Sequence, residues 1–478
     1  MKKLLFFDDT QLLGKRNLTR RVGQPQLVTN GSFQAPNTDL SFAYPTVFPL
    51  EEAGGWRMLY QALHSFRAQR RPRHFIPAVA DSDDGITWRV PDLSHTVPID
   101  ERVLPNQTQP AVLDRFGEWG PSYYDPRAGD LQHRIKGFVC KGHGPGTGIK
   151  DSWIVTSPDG LTWQDLNGKL WHPHGSDPTV CAYWNQYHGV YTLVIRPHNG
   201  DRRIALMETP DWKQFSDIEL ALCPDALDPD LAEIYSMPTF PYANMFIGLV
   251  WLYQTPQTTV DHGKFLGGRI NCQLAYSYDG RHFQRGLRDP LIDNTPPGSI
   301  GAGCILPSSM IVTDDEIRLY SCAGTTEHAL YDEQHGPLKS AILMHRLRLD
   351  GFVYLDAGRG EASLKTRAML VTGDQIAINA QVPDGQLAVE VTDANGNILE
   401  GYTYDDCQNF GGDDTRWIVR WRNGKQFGDL QQRAVQLSLR IRSGRLFAIS
   451  GDFEMLTAKE GMRYINHGTP PDPRNWGP

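Results

Sequence analysis

Three acidic residues stand where an apolar strand is about to begin: Asp177 just ahead of Pro178, Glu233 at the head of the run 234–237, and Asp39 five positions ahead of Tyr44-Pro45. A carboxylic acid can hand a proton to a leaving oxygen, and a carboxylate can attack carbon or deprotonate water. Two such groups in one cleft therefore make an acid–base pair. The competing readings are a strand cap for Asp177 and a solvated loop acid for Glu233. His172-Pro173-His174 has metal-ligand residue types but no third ligand at fixed spacing, so it reads as loop and no metal is expected. No phosphate loop, Ser-His-Asp signature or nicotinamide fingerprint occurs in a strand-turn-helix setting, and no cofactor is expected.

The elements that must position these acids repeat along the chain. An X-Pro-Ser/Thr motif opens an apolar strand at Tyr44-Pro45-Thr46, Gly120-Pro121-Ser122, Asp177-Pro178-Thr179, Met237-Pro238-Thr239 and Leu306-Pro307-Ser308, the prolines being 76, 57, 60 and 69 apart. A second strand-like run follows each, at 57–63, 134–140, 190–196, 246–253 and 316–322. Each unit then closes on a turn: Ser82-Asp83-Asp84-Gly85, Ser157-Pro158-Asp159-Gly160 and Ser277-Tyr278-Asp279-Gly280, with a degenerate copy at Thr209-Pro210-Asp211-Trp212 and a last one at Asp350-Gly351-Phe352. Gly accepts the positive φ of a tight hairpin, and an aromatic three residues later starts the next strand, so these aspartates read as turn structure. Four strands per unit, five times over, predict a five-bladed β-propeller across residues 30–350. The strand near residues 3–7 is expected to close the ring.

Past Phe352 the pattern becomes short alternating segments at 375–379, 387–391, 417–421 and 435–439. They predict an all-β second domain, a β-sandwich of about a hundred residues. The expected division is 1–352 for the propeller and 353–478 for the sandwich, with a short irregular tail from Gly468.

Composition narrows the function classes. The chain has 478 residues, 47 Lys plus Arg against 55 Asp plus Glu, and a net charge of −8 without a basic stripe, which argues against nucleic acid as partner. Forty-six Gly and 33 Pro with many aromatics suit short strands and turns. Seven cysteines, an odd number without close pairs, read as free buried thiols. The apolar run 4–7 stops at Asp8-Asp9, too short for a signal segment or a membrane span. A cytoplasmic location, or export with the signal removed, is the expectation, with no membrane partner and no signal for an oligomeric state.

Taken in order, Phe7-Asp8-Asp9, Arg20-Arg21, the Ser-x-Asp-Gly turns, Glu233-Ile234-Tyr235, Glu327-His328 and Asp350-Gly351-Phe352 resemble the five-bladed propeller glycosidases related to glycoside hydrolase families 32 and 43, nearest to uncharacterised bacterial family-32-like hydrolases. The resemblance covers nearly the whole chain. It implies cleavage of a glycosidic bond in a carbohydrate substrate by paired carboxylates through an oxocarbenium-like state, and the closed funnel of the expected fold suits a chain end, so exo action is expected. Asp177 then matches the Asp-Pro acid of those families, though Ser176 replaces their Arg, and Glu233 stands where they carry the general acid. Their first-blade acid beside Pro is missing, for Tyr44 occupies that place. Asp39 is the first substitute, with Asp9 and Asp125 as alternatives. Tyr44 lines the pocket in this reading, since the turns lack the extra residue of a sialidase Asp-box. Trp119, Tyr235, Arg196, Glu327, His328, Tyr44 and Asp9 are the candidate sugar contacts, by stacking or by anchoring hydroxyls and carboxylates. A non-catalytic carbohydrate-binding propeller is the alternative. A phosphorylase of the same type, with Arg20, Arg21, Arg202 or Arg203 around phosphate, is a third possibility.

Overall fold

The computed structural model describes residues 2–35, 39–51, 54–64, 74–93, 118–142, 150–166, 179–197, 201–255, 260–261, 265–328 and 339–472. The fold is nearly all β; among the described residues the only α-helix is Ala458–His467.

Each sequence repeat becomes an antiparallel meander. Unit one runs Thr46–Pro49, Trp56–His64 and His74–Ser82, with an Asp81–Arg89 bridge adding an outer strand. In unit two, Glu118–Trp119 and Tyr123–Tyr124 both pair with Ile135–Gly142, followed by Lys150–Ser157 and Gln164–Asp165. Unit three is Cys181–Asn185, Val190–Ile195, Ile204–Thr209 and Glu219–Leu222. Unit four sets Ala232–Ser236 and Thr239–Tyr242 against Met245–Gln254, then Arg269–Ser277 and a Tyr276–Gln284 bridge. Unit five is Cys304–Val312, Glu316–Gly324 and Ser340–Arg348, and its fourth place is taken by Gln26–Leu27.

That last pairing corrects the sequence expectation for the closing strand. Lys2–Leu5 pairs instead with Arg445–Met455. The reason is burial: Leu4, Leu5, Phe6 and Phe7 all sit in the core shared with the C-terminal sheet, whereas Gln26 and Leu27 are exposed, as an edge strand allows.

The turn motifs do two jobs. Locally, Ser82 Oγ accepts the Gly85 N–H at 2.9 Å while Asp84 Oδ1 accepts those of Ile86 and Thr87 at 2.7 and 2.8 Å, and the turns at Asp159 and Asp279 repeat the pattern. Gly85, Gly160 and Gly280 lie at φ of +74°, +84° and +75°, the left-handed region that an L side chain avoids. The degenerate copy keeps the caps from Thr209 and Asp211 and forces Trp212 to φ +62°. Each turn also docks on the preceding unit. Tyr320 Oη and Arg318 Nη1 of unit five donate to the carbonyls of Gly85 and Asp84 in unit one, at 2.8 and 2.7 Å. Arg57 of unit one donates to Asp159 O of unit two at 2.9 Å, and Asn185 of unit three to Asp279 O of unit four at 2.9 Å. Trp212 of unit three packs on Tyr123 of unit two, and Tyr242 of unit four bonds Asp350 after unit five.

Hydroxyls near the repeated prolines join the first strands to one another. Ser308 Oγ donates to Pro45 O at 2.7 Å, Thr46 Oγ1 accepts the Ser122 N–H at 2.8 Å, and Ser236 Oγ donates to Thr179 O at 3.0 Å. Residues from the first strands of all five units, among them Val47, Tyr123, Tyr183, Phe240 and Met310, line one cavity of about 420 Å³.

Apart from the two-stranded pair Val260–Asp261 and Phe265–Leu266, the remaining strands form one nine-stranded sheet that also takes in Lys2–Leu5, Leu12–Arg16 and Thr19–Val22. Where two facing sheets were expected, the 25-residue strand Met369–Asp393 pairs along its first half with Arg445–Met455 and along residues 386–393 with Ala434–Arg442, so one continuous sheet curls on itself. The helix Ala458–His467 follows, begun by a Thr457–Glu460 capping box.

Candidate active site

Glu233 lies in Ala232–Ser236 opposite Tyr253. Its side chain is one-fifth exposed and ion-paired to the Arg202 guanidinium. Arg202 is brought there by the backbone, since the Ile234 N–H donates to Arg202 O at 3.0 Å and so laces unit four to the loop of unit three. The guanidinium stands 5.2 Å from the Tyr253 ring centre and 5.7 Å from that of Tyr235. Burial works against the Arg202 charge, but the carboxylate of Glu233 outweighs it and raises the pKa above the ordinary arginine value. A second guanidinium, Arg196, is buried 4.7 Å from the Tyr235 ring centre and donates to Tyr235 O at 3.2 Å. Burial lowers its pKa, an effect that Tyr235 partly offsets.

An aromatic wall adjoins this acid. Tyr44 stacks on Trp251 at 5.7 Å with the planes 9° apart, and Tyr235 lies over the same indole at 6.4 Å. His328 meets Tyr235, Tyr253 and Phe42 edge-on at 5.1, 5.0 and 5.8 Å. Tyr44 holds φ +46°, a costly conformation for a non-glycine residue, the more so directly before proline. Burial first, then the neighbouring Tyr235, Cys322 and Glu118, push its phenol well above the usual tyrosine range. A phenol so held keeps its proton; it suits donating a hydrogen bond better than attacking carbon.

The structure thus gathers Glu233, Tyr235, Arg196, Tyr44 and His328. Glu327 is one step away, ion-paired to Arg269 at 3.2 Å. Asp39 is 5 % exposed, and its Oδ1 accepts the Ser41 N–H at 2.9 Å. Asp177, like His172 and His174, lies outside the described residues. Two expectations need correction. Trp119 is 1 % exposed, edge-on to Trp163 at 5.0 Å and packed on Val139 and Val155, so its faces are spent inside unit two. Gly137 makes room for it, since a Cβ there would fall 2.5 Å from the indole. Asp9 is ion-paired to Lys15 and Arg20, residues of the N-terminal strands in the last sheet, and has no contact with the Glu233 cluster. Burial opposes the lowering of its pKa, but the bonds from Lys15 and Arg20 prevail. Of the arginines considered for phosphate, Arg20 and Arg21 are held by Asp9 and Asp356, Arg202 by Glu233, and Arg203 by Asp201.

Sequence reasoning missed Phe42, Glu118, Trp251 and Tyr253 as neighbours of the site. Trp251 and Tyr253 are spaced by two and share a face of Met245–Gln254, but the run is apolar throughout and reads as core. Among the described residues no group of three or more His, Cys, Asp or Glu could hold a metal ion, and no helix is long and apolar enough to cross a membrane.

No protein-family model matches the chain, and no match was found among curated proteins. Among solved structures, one titled a glycoside hydrolase aligns over 68 % of this chain and 92 % of its own at 14 % identity and TM-score 0.47. The Bombyx mori GH32 β-fructofuranosidase aligns over 91 % and 95 % at 12 % identity and TM-score 0.42. A β-1,2-mannobiose phosphorylase from Listeria innocua aligns over 67 % and 96 % at 11 % identity and TM-score 0.43. Each is a distant likeness of shape.

Proposed function

We propose that the chain is a glycoside hydrolase whose residues 26–350 form a five-bladed propeller, with Glu233 as general acid in its funnel. The observation that carries this reading is the setting of Glu233, a partly buried carboxylate fixed by Arg202 between two tyrosine rings and beside the Tyr44–Trp251 wall. Tyr44 and Trp251, 4 % and 0 % exposed, back the site, the partly exposed Arg202 guanidinium takes sugar hydroxyls, and the acid takes the leaving oxygen. The turn-to-preceding-unit contacts, which run from unit one back to unit five, support the closed ring.

In this mechanism the Arg202 pair fixes the Glu233 carboxyl in place. A sugar hydroxyl that takes over Arg202 releases the Glu233 carboxylate to take up a proton from water, and Glu233 then passes that proton to the departing oxygen. Asp177 serves as nucleophile or as base for water, and Asp39 is next in line should Asp177 prove dispensable. A funnel closed on one axis favours a chain end over the middle of a polymer, hence exo action.

The test is a panel of 4-nitrophenyl glycosides, with and without inorganic phosphate. Hydrolysis independent of phosphate, lowered in kcat by about 10²- to 10⁴-fold in Glu233→Gln and in Asp177→Asn, is the expected result. Turnover only with phosphate would make the protein a phosphorylase. Unchanged rates in both variants would remove these acids from the mechanism.

A further inference from the structure

Gln61 lies on Trp56–His64 of unit one and is 2 % exposed. Its side chain joins two segments of different units. Nε2 donates to Phe42 O at 2.9 Å, and Oε1 accepts the Trp119 N–H at 2.6 Å. Its own N–H donates to Ala43 O at 2.7 Å. The orientation of the amide follows from its partners, because a carbonyl can only accept and a peptide N–H can only donate. The segments it joins carry the wall of the site. Phe42 meets His328, Tyr44 follows Ala43 and stacks on Trp251, and Glu118 directly precedes Trp119.

We propose that Gln61 is a positioning residue for the sugar site: by bridging Phe42 and Trp119 it sets the Tyr44 ring and the Glu118 backbone in place against the Glu233 side of the funnel. The role assigned to the site rests on the glycosidase reading above; the geometry of the bridge does not. The physical need for a strut is plain. Tyr44 holds a left-handed conformation before Pro45, and such a residue keeps it only where its surroundings over-determine it. Without the amide, the Phe42 carbonyl and the buried Trp119 N–H each lose a partner, and the turn relaxes toward extended backbone.

The experiment uses the full chain with Gln61→Met and Gln61→Glu. Met fills the space and bonds neither group. Glu is nearly isosteric; ionised, it still accepts from Trp119 but faces the Phe42 carbonyl with no proton to give, and protonated it restores both bonds. Burial and that carbonyl both hold its proton more tightly, so repair sets in above the ordinary glutamate pKa of about 4.3. Two readouts are taken from pH 4 to 8: near-ultraviolet circular dichroism, sensitive to the Tyr44–Trp251 stack, and kcat and KM on whichever 4-nitrophenyl glycoside the wild type cleaves best.

The expected result is an altered near-ultraviolet spectrum and at least a tenfold loss of kcat/KM in Gln61→Met. In Gln61→Glu the same losses at pH 8 should shrink, relative to wild type, as the pH falls toward 5. A Gln61→Glu profile parallel to wild type in both readouts overturns the proposal, as does a Gln61→Met variant unchanged in both. If Gln61→Met does not fold, Gln61→Glu decides alone. If the wild type cleaves no glycoside, the glycosidase reading is what fails, and the spectra of the variants still decide whether Gln61 holds the wall.

Discussion

Asp350 offers the sharpest test of how the C-terminal sheet is fastened to the repeat units. Its side chain is 3 % exposed and takes partners from three parts of the chain: Lys3 Nζ at 2.6 Å, the Tyr242 hydroxyl at 2.6 Å and Asn379 Nδ2 at 3.2 Å. Burial first, then the Asp350 charge, raises the Tyr242 pKa far above the ordinary value, so the phenol stays a donor. Asp350 also sits at φ +59°, a conformation that Asn tolerates nearly as well as Asp. Asp350→Asn therefore keeps shape and backbone, removes the charge and turns the oxygen that accepts from Asn379 into an NH2 donor. Breaking a buried ion pair from one side costs about 3–5 kcal/mol. Lys3 keeps 22 % of its side chain in water, which returns part of that, and the Tyr242 bond becomes a neutral one. The net expectation is a loss of about 2–4 kcal/mol. In a urea titration followed by far-ultraviolet circular dichroism, the midpoint should fall by roughly 1 M. Lys3→Met alone should cost less, and the double variant should cost at least about 1 kcal/mol less than the sum, as coupled partners do. An Asn variant within about 0.5 kcal/mol of the parent, or strict additivity in the double variant, would refute the assignment of Asp350 as the charged fastening.

Three further outcomes follow. His345 is 5 % exposed and burial depresses its pKa from 6.5 to about 4, so between those values the unfolded chain binds a proton that the folded chain refuses. The stability held by the neutral ring is complete above about pH 6.5 and drains away as pH falls toward 4, at most about 3 kcal/mol; His345→Gln should flatten the drop in urea midpoint from pH 7 to 4.5, and an unchanged drop would show another group is responsible. Trp119→Ala should cost about 3–5 kcal/mol with the cavity left among Trp163, Val139 and Val155; a loss within about 1 kcal/mol would mean that Trp119 is not core. Deleting residues 353–478 strips the partners of Lys2–Leu5, Leu12–Arg16 and Thr19–Val22 and bares Phe7 and Phe352, so the fragment should aggregate; a soluble, cooperatively unfolding product would mean the sheet is dispensable.

Local chemistry was legible in the residues. A Ser-x-Asp-Gly segment needs only its own N–H groups and a glycine to close a turn, so the caps at Asp84, Asp159 and Asp279 follow from four consecutive side chains. The same holds for the strands that come between them and for Glu233, whose place at the start of a strand could be read from the run behind it. The helix Ala458–His467 is also written locally, in Thr457, Glu460 and the Gly468 at φ +64° that ends it. Tertiary structure alone decided which elements meet. Two N-terminal segments had strand character, and only the burial available on each side sent Lys2–Leu5 to the last sheet and Gln26–Leu27 to unit five. Trp119 looked like a sugar platform until Gly137 let the indole drop into the core. Arg202 reaches Glu233, and Gln61 reaches Trp119, across 31 and 58 positions of chain. Such pairings depend on how separate units pack, and packing is a competition among distant surfaces that no short stretch of sequence contains.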